Sequence, residues 1–295
     1  MRQEKTAVIL VNHDGLRDTR EAVESIKKQQ MALQIIIVDN ASPGNDADKL
    51  EKEFKDVKII RAGNNLGFAG GNNLGMEYAL ENGFDYILLL NNDTKADKEM
   101  IMHLLAEADE TTVTVPAMYY DSEPGTLWYG GGMVNKWTGN VEHLSLTEKQ
   151  ICSFATGCCM LIHRSIVERV GRMSEQYFMY CEDMDYSIRL GMAGVRIMYV
   201  PDAKLWHKIG KSSGGNTSAF SIYYITRNRL FCIKKHVKYF RPTAFWYAYL
   251  TRLIRMFQLI CRGKPEWKAY RKALHDYHNG IMGRQEADGM LLPLK

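Results

Sequence analysis

The chain has no Cys-x-x-Cys pair, although it carries six cysteines, Cys152, Cys158, Cys159, Cys181, Cys232 and Cys261. That absence argues against a zinc ribbon or a thioredoxin-type redox site. The six read instead as free, mostly buried thiols of a reducing compartment. The opening "MRQEKTAVIL" lacks the apolar core of a signal peptide, so a cytoplasmic protein is expected. Sequons at Asn40, Asn92 and Asn216 then carry no weight. No clean membrane-spanning run is present, because the longest apolar region, 244–261, is interrupted by Arg252 and Arg255. There is no internal repeat and no low-complexity segment. Acids are nearly absent from one window: between Arg227 and Lys272 there are thirteen Lys/Arg and a single acid, Glu266. That window carries +12 of a total of +4, so the remaining body is acidic and the basic segment is expected to meet something anionic.

What is present is a core-forming chain. It has 295 residues, 46% of them hydrophobic and 24% charged, enough for one large domain, or for a smaller one with an appendage. Apolar, β-branched runs stand at 6–12, 34–40, 57–60, 86–93 and 112–118. Helix-like spacing fills the gaps near 18–30, 46–54, 72–82 and 97–109. Continuous apolar strands alternating with helices predict a parallel sheet covered on both faces. Ligands of such sheets bind beyond the carboxyl ends of the strands. That directs attention to Asn12, to Asp39 and Asn40, and to Asn91, Asn92 and Asp93. From 120 to 160 the pattern suggests short strands and loops, and helical spacing returns at 164–171, 182–193 and 244–261.

Five constellations carry chemistry. Asp39 in "VDN" can accept hydrogen bonds from a ribose or base, although alone it reads as a cap or turn residue. "GNNLGFAGGNNLG" (63–75) implies left-handed backbone and close approach of another group, with amides facing a phosphate or sugar. Its spacing is not that of the dinucleotide fingerprint. "LLLNNDT" (88–94) ends a buried strand in oxygen-bearing side chains, suited equally to a capping role or to Mg²⁺ or Mn²⁺ carried by a diphosphate. "MYCEDMDYSIRLGMAGV" (179–195) places Glu182, Asp183 and Asp185 within four positions. On a helix Asp185 pairs with Arg189, while Asp183 points elsewhere. Ile188 and Gly194 exclude an EF-hand, and a positioned general base explains the surplus of acid better than a helix start alone. Finally, His207 reads as a metal or phosphate ligand or a satisfied polar residue, and Arg227 as a diphosphate holder or a helix cap. "GKS" at 210–212 is not a P-loop, since Leu205 stands where that motif needs its first glycine.

In this order "VILVNHDG", "IIIVDNAS", "NNLGFAGGNNLG", "LLLNNDT", "ATGCCMLIHR", "FMYCEDMDYSIRLGMAG", "WHKIG" and "YYITRN" resemble the family 2 inverting glycosyltransferases, particularly their rhamnosyltransferase-like branch. The resemblance runs from about Ala7 to His236. It implies an α/β fold of the GT-A type, a Rossmann-like nucleotide-binding mixed sheet flanked by helices, over 1–236. A basic, aromatic helical extension follows over 237–295. It implies that Asp39 contacts the nucleotide, and that Asn12, Asn40, Gly67, Phe68, Asn72, Asn92 and Arg227 border the donor. Asp93, in a DxD-like "NND", and His207 would hold the divalent metal, Mg²⁺ or Mn²⁺. Asn91 stands where a first Asp is common, which implies weaker protein ligation. Gly157 and Glu182 would border the acceptor, and Asp183 would be the catalytic base, acting without a large pKa shift.

The implied reaction moves a sugar from a nucleoside-diphosphate donor, with inversion, to a saccharide or lipid-linked saccharide in cell-surface polysaccharide synthesis. The first expected donor is dTDP-L-rhamnose and the second a UDP-hexose. A nucleotidyltransferase and a non-catalytic nucleotide-sugar binding module are the competing readings. The first usually shows a basic Gly-rich loop after its first strand, which "VNHDGLRDT" is not. The second sits poorly with the acids at 93 and 183. Helix 244–261 presents Phe245, Trp246, Tyr247, Leu250, Ile254 and Phe257 as a wide apolar face. It is expected to lie peripherally on an anionic membrane surface, at the inner face of the cell membrane. Packing on the enzyme core or in a homodimer is the alternative. No nucleic-acid partner is expected.

Overall fold

The structure is a computed structural model, described over residues 4–208 and 218–285. "GKS" at 210–212, the sequon at Asn216 and the last ten residues of the extension lie outside these. The first half winds as β1 (Thr6–Asn12), α1 (Leu16–Ile26), β2 (Leu33–Asp39), α2 (Asp46–Glu53), β3 (Lys58–Arg61), α3 (Gly67–Glu81) and β4 (Tyr86–Asn91). Strands β3, β2, β1 and β4 lie side by side and parallel, as their continuous apolar runs predict. Their side chains form the core: Val8, Ile9, Leu10, Ile36, Ile37, Leu88 and Leu89 are wholly buried.

Beyond β4 the sheet departs from the expected pattern. β5 (Thr94–Ala96) and α4 (Met100–Leu105) precede β6 (Thr112–Tyr120), which does not join β4. β11 (Cys159–His163) inserts antiparallel between them. The short strands β7 (Leu127–Tyr129), β8 (Gly132–Val134), β9 (Val141–His143) and β10 (Gln150–Cys152) lead up to it. After β11 come α5 (Arg164–Val170), a 3-10 turn (Glu175–Tyr177), α6 (Glu182–Met192) and β12 (Arg196–His207). β12 runs parallel to β6, with an irregularity between Val200 and Lys204. The sheet is therefore mixed, in the order β10-β12-β6-β11-β4-β1-β2-β3, with β5 on β12 and β7 on β6.

Residues 67–71 of the glycine-rich segment are not loop, as the 72–82 assignment implied, but the first turns of α3. One residue there, Gly67, has left-handed backbone (φ +73°), where a Cβ would stand 2.1 Å from the carbonyl oxygen of Phe178. Gly75 instead lets the helix lie flush on β1, since a Cβ there would come 2.5 Å from Ile9 Cγ2.

Three helices complete the chain: α7 (Ala219–Lys235), α8 (Pro242–Cys261) and α9 (Trp267–His278). The predicted boundary at 236/237 falls in the turn between α7 and α8. α9 packs back on α7: Ala269 and Ala273 are buried with Tyr223 and Tyr224, and the Tyr223 hydroxyl donates to the buried carboxylate of Asp276. On α8 only Ala244 and Ala248 are buried, while Trp246, Tyr247, Leu250, Ile254, Phe257 and Ile260 stand exposed. Phe245, expected on that outer face, turns inward and stacks on Tyr249. Among the described residues no helix is long and apolar enough to cross a membrane.

Replacing Gly75 by Val forces side-chain atoms into Ile9. It is expected to cost about 1–3 kcal/mol of overpacking, read as a lowered urea midpoint with an unchanged m-value. An unshifted midpoint would show that α3 does not need its close approach to β1.

Candidate active site

A cleft of about 840 Å³ opens at the carboxyl ends of β1, β2 and β4. The strand registers explain how distant sequence segments meet there. β12 ends against β5, so His207 faces Thr94 and the Lys208 amide donates to the Asp93 carbonyl. β11 starts beside the end of β4, and the Asn91 amide donates to the Cys158 carbonyl. Asp93, His207, Gly157 and Cys158 are thereby gathered at one strand end.

His207 Nε2 lies 3.1 Å from Asp93 Oδ1. Yet Asp93 Oδ1 and His207 Nδ1 are buried without a hydrogen-bond partner among the described residues. Burial alone would lower the pKa of the imidazole. Cys158 and the Asp93 carboxylate beside it outweigh that and push it up to about 10. Trp128 packs edge-on against His207, and also against His143, with ring centroids 4.8 Å apart in both pairs. A carboxylate and an imidazole that favour a positive charge between them, each with an unspent buried atom, suit a divalent cation. Asp185, Cys232 and His236 also bring ligand atoms within 4.8 Å of one another. Lys235 and Arg189 already neutralise Asp185 there, so a cation has little to gain.

The three acids of α6 have separate fates. Asp183 is half-buried at the cleft and accepts hydrogen bonds from the amides of Gly157 (3.2 Å) and Met184 (2.8 Å). Burial raises its pKa and these amides oppose the rise. That adds an upward direction to the sequence-based expectation of no large shift and does not overturn it. Glu182 is buried, its Oε2 without a hydrogen-bond partner among the described residues, and burial followed by the neighbouring Asp183 charge raises it well above the usual range. Of the pair, Glu182 is pushed further up and Asp183, held by two amides, less so. Asp185 is fully buried away from the cleft, as the predicted partner of Arg189 (2.9 Å). It also meets Lys235 (2.7 Å), His236 (2.8 Å) and the Tyr177 hydroxyl (3.0 Å). Burial would raise it, but His236, Lys235 and Arg189 hold it below the usual carboxylate range.

The turn that presents Asp183 is strained. Phe178, Tyr180 and Cys181 all have left-handed backbone, with φ of +64°, +65° and +70°. Such residues cost about 1–3 kcal/mol each. The side-chain amide of Asn228 on α7 holds them, donating to the carbonyls of Tyr177, Met179 and Tyr180 at 2.8–2.9 Å. Arg227 beside it is fully buried and does not reach the cleft. Its guanidinium donates to the carbonyls of Tyr177 and Gly283, to the Tyr223 hydroxyl and to Asn228 Oδ1. The diphosphate role expected for Arg227 is thus corrected: its donors are already spent inside the helical bundle.

Of the remaining predicted residues, Asn40, Gly67, Phe68, Asn72, Asn92, Gly157, Glu182, Asp93 and His207 line the cleft with Asp183. Asn40 also ties the α3 entry, accepting from the Leu66 amide and donating to the Gly67 carbonyl. The Asn92 amide donates to Thr19. Asn12 and Asp39 stand behind the lining. Asn12 donates to Asp39 at 3.0 Å, and Ser42 donates to the same carboxylate at 2.6 Å, so both support the wall rather than form it. Cleft residues that sequence reasoning missed include His13, Asn65, Thr156, Tyr180, Arg229 and Arg252. His13 and Asn65 sit inside motifs already singled out. The two arginines carried no local signal beyond the basic window.

A mixed sheet with a cleft at its strand ends, lined by an Asp–His pair and a half-buried carboxylate, is the arrangement that the resemblance to GT-A glycosyltransferases implies. The similarity to known proteins agrees. A family model described as glycosyl transferase family 2 matches residues 7–171, more than half of the chain, and the chain belongs to that family. It is 26% identical over 240 residues to the dTDP-rhamnosyl transferase RfbF of Shigella flexneri, covering 78% of this chain and 80% of that one. It is 26% identical over 244 residues to the N-acetylglucosaminyl-diphospho-decaprenol L-rhamnosyltransferase of Mycobacterium tuberculosis, covering 72% and 79%. It is 25% identical over 235 residues to the low-salt glycan biosynthesis hexosyltransferase Agl10 of Haloferax volcanii, covering 76% and 73%. Among solved structures, GalNAc-T7 with UDP, GalNAc and Mn²⁺ superposes with a TM-score of 0.64 at 17% identity, over 79% of this chain and 48% of that one. The mannosyltransferase PcManGT of Pyrobaculum calidifontis, with GDP-Man and Mn²⁺, gives 0.58 at 14% identity, over 94% and 76%. The family sets aside the nucleotidyltransferase and the non-catalytic binding module: the protein is a glycosyltransferase.

Replacing Asp185 by Asn strands Arg189 and Lys235 around a neutral buried amide. The expected loss is about 3 kcal/mol at pH 7, measured by denaturant unfolding. A depressed carboxylate stabilises above its unfolded pKa and loses that contribution as pH falls toward its folded value. The gap between variant and wild type should therefore narrow in acid below about pH 4, the ordinary carboxylate pKa. A gap independent of pH would mean that the charge of Asp185 contributes nothing.

Proposed function

We propose that this glycosyltransferase moves a sugar with inversion from a nucleoside-diphosphate donor, dTDP-L-rhamnose before a UDP-hexose, to a saccharide or lipid-linked saccharide acceptor. The reaction would serve cell-surface polysaccharide synthesis. The observation that carries this reading is that Asp183 and the Asp93–His207 pair share one cleft at the strand ends. The names of the rhamnosyl and diphospho-decaprenol relatives support the donor and acceptor classes.

Asp183, held by the amides of Gly157 and Met184, takes the proton of the acceptor hydroxyl as that oxygen attacks the anomeric carbon. The anomeric bond to the nucleoside diphosphate breaks on the opposite side, which inverts the configuration. Burial and the neighbouring Asp183 charge push Glu182 well above the usual range, which favours its neutral form and limits its repulsion of the Asp183 carboxylate. Asp93 and His207 would hold Mg²⁺ or Mn²⁺, His207 giving up its proton to do so. When bound, such a cation neutralises charge developing on the departing diphosphate. Asn40, Asn65, Gly67, Phe68 and Asn72 line the donor's side of the cleft. The enzyme works in the cytoplasm at the inner face of the membrane, where the exposed aromatic and basic side of α8 lies against anionic lipid.

Asp183→Asn is expected to bind donor as wild type does and to lose at least about 10²-fold in turnover. In the wild type kcat/KM should rise with pH through a limb above the usual Asp range of about 4, because burial raises the group that must be ionised. Wild-type turnover by the variant would remove the base assignment. Asp93→Ala is expected to weaken donor binding with Mn²⁺ or Mg²⁺ and to leave it unchanged in EDTA. Calorimetry showing equal weakening in EDTA would count against a metal at Asp93.

A further inference from the structure

Two arginines that no role above uses, Arg229 of α7 and Arg252 of α8, enter the same cleft as Asp183. Arg229 is only 7% exposed. One of its nitrogens donates to the Thr138 carbonyl at 2.7 Å, and its Nε is buried with no partner among the described residues. Among the described residues no carboxylate is paired with either guanidinium, although the chain pairs most of its other buried charges, as at Asp185 and Lys208. Burial and then the nearby charge of Arg252 depress Arg229 to about 10. Leaving two cations in one cleft, one of them desolvated, is costly unless an anion joins them. The donor diphosphate has its own place at Asp93 and His207. Cys181, Glu182 and Asp183, at the start of α6, line the same cleft as Arg229. From Arg252 the exposed apolar residues Tyr247, Leu250 and Ile254 continue outward along α8.

We infer that Arg229 and Arg252 form an anion subsite for the phosphate or diphosphate of a lipid-linked acceptor, whose hydrocarbon chain leaves along the apolar side of α8. This rests on the proposed sugar transfer to such an acceptor and adds how the acceptor is recognised. A guanidinium pair matches phosphate oxygens in geometry and charge, and the cleft places the saccharide beyond the phosphate next to Asp183.

The test is equilibrium binding of farnesyl diphosphate to the full chain in EDTA, with farnesol and inorganic pyrophosphate as companions. Farnesyl diphosphate should bind and farnesol should not, and pyrophosphate should compete. Arg252→Ala, on a half-exposed helix surface, should weaken farnesyl diphosphate at least about tenfold, the scale of one charge-assisted hydrogen bond. Arg229→Gln should do the same, and Arg252→Lys should recover part of the loss. Nucleotide-sugar binding with Mn²⁺, titrated separately, should be unchanged in all three. If the variants weaken donor and farnesyl diphosphate equally, the arginines serve the donor and the inference fails. It fails too if farnesyl diphosphate binds the variants as it binds wild type while only their sedimentation with phosphatidylglycerol vesicles drops, which would mark a headgroup surface. Arginine-dependent farnesyl diphosphate binding in a protein that binds no nucleotide sugar would uphold the subsite and overturn the donor reading alone.

Discussion

The grip of one side-chain amide on a strained turn is the constraint on which the site depends. Asn228 shares its two hydrogens among the carbonyls of Tyr177, Met179 and Tyr180. Three non-glycine residues within Phe178–Cys181 are thereby kept in a backbone region they seldom occupy. Without that grip the turn has every reason to relax, and Asp183 stands only two residues beyond it. The other side of the turn is closed by α3, where the Phe68 amide donates to the Phe178 carbonyl and a side chain at 67 has no room. The glycine-rich start of α3, the strained turn and α7 are thus one assembly, and the cleft is what they leave open between them.

Electrostatics within α6 follow from the same arrangement. Three carboxylates at successive or alternate positions project in different directions, because a helix turns about 100° per residue. Asp185 is carried inward to a nest of Arg189, Lys235, His236 and Tyr177, where its charge is fully compensated. Glu182 is buried without such partners among the described residues, and burial pushes it well above the usual carboxylate range. Asp183 alone combines cleft access with amide donors. One acid is anchored, one is pushed far up by burial and one is left at the cleft with amide donors, and the difference is one of surroundings.

The helices after β12 do more than extend the enzyme. α7 supplies Asn228 to the turn and Arg229 to the cleft from adjacent positions on one helix, the first spent on backbone and the second largely unspent. α8 adds Arg252 and an outward apolar face, while its inward side carries Ala244, Phe245, Ala248, Tyr249 and Leu253. The basic charge that sets this segment apart from the acidic body is therefore divided between the cleft and the outer surface, and the exposed apolar residues join those two places.

Much of the architecture was legible locally. Buried β-branched runs produced the strands at 6–12, 33–39 and 86–91 within a residue or two, because full burial on both faces leaves a continuous apolar signature. Strand-end polarity pointed to Asn40, Asn92 and Asp93, and helical spacing to the Asp185–Arg189 pair. By itself the sequence determined the elements, the ordered motifs and the residue types able to act as base or ligand, since these depend on neighbours in the chain. Only the tertiary structure decided that β11 would run antiparallel inside the sheet, that α3 begins at Gly67 and that Phe245 turns inward. It also decided that Arg227 is spent on carbonyls in the helical bundle while Arg229 faces the cleft. Two arginines two positions apart look alike in a sequence. Which one faces the cleft and which one is spent in the helical bundle is set by the elements packed around them, through contacts with residues up to 91 positions away.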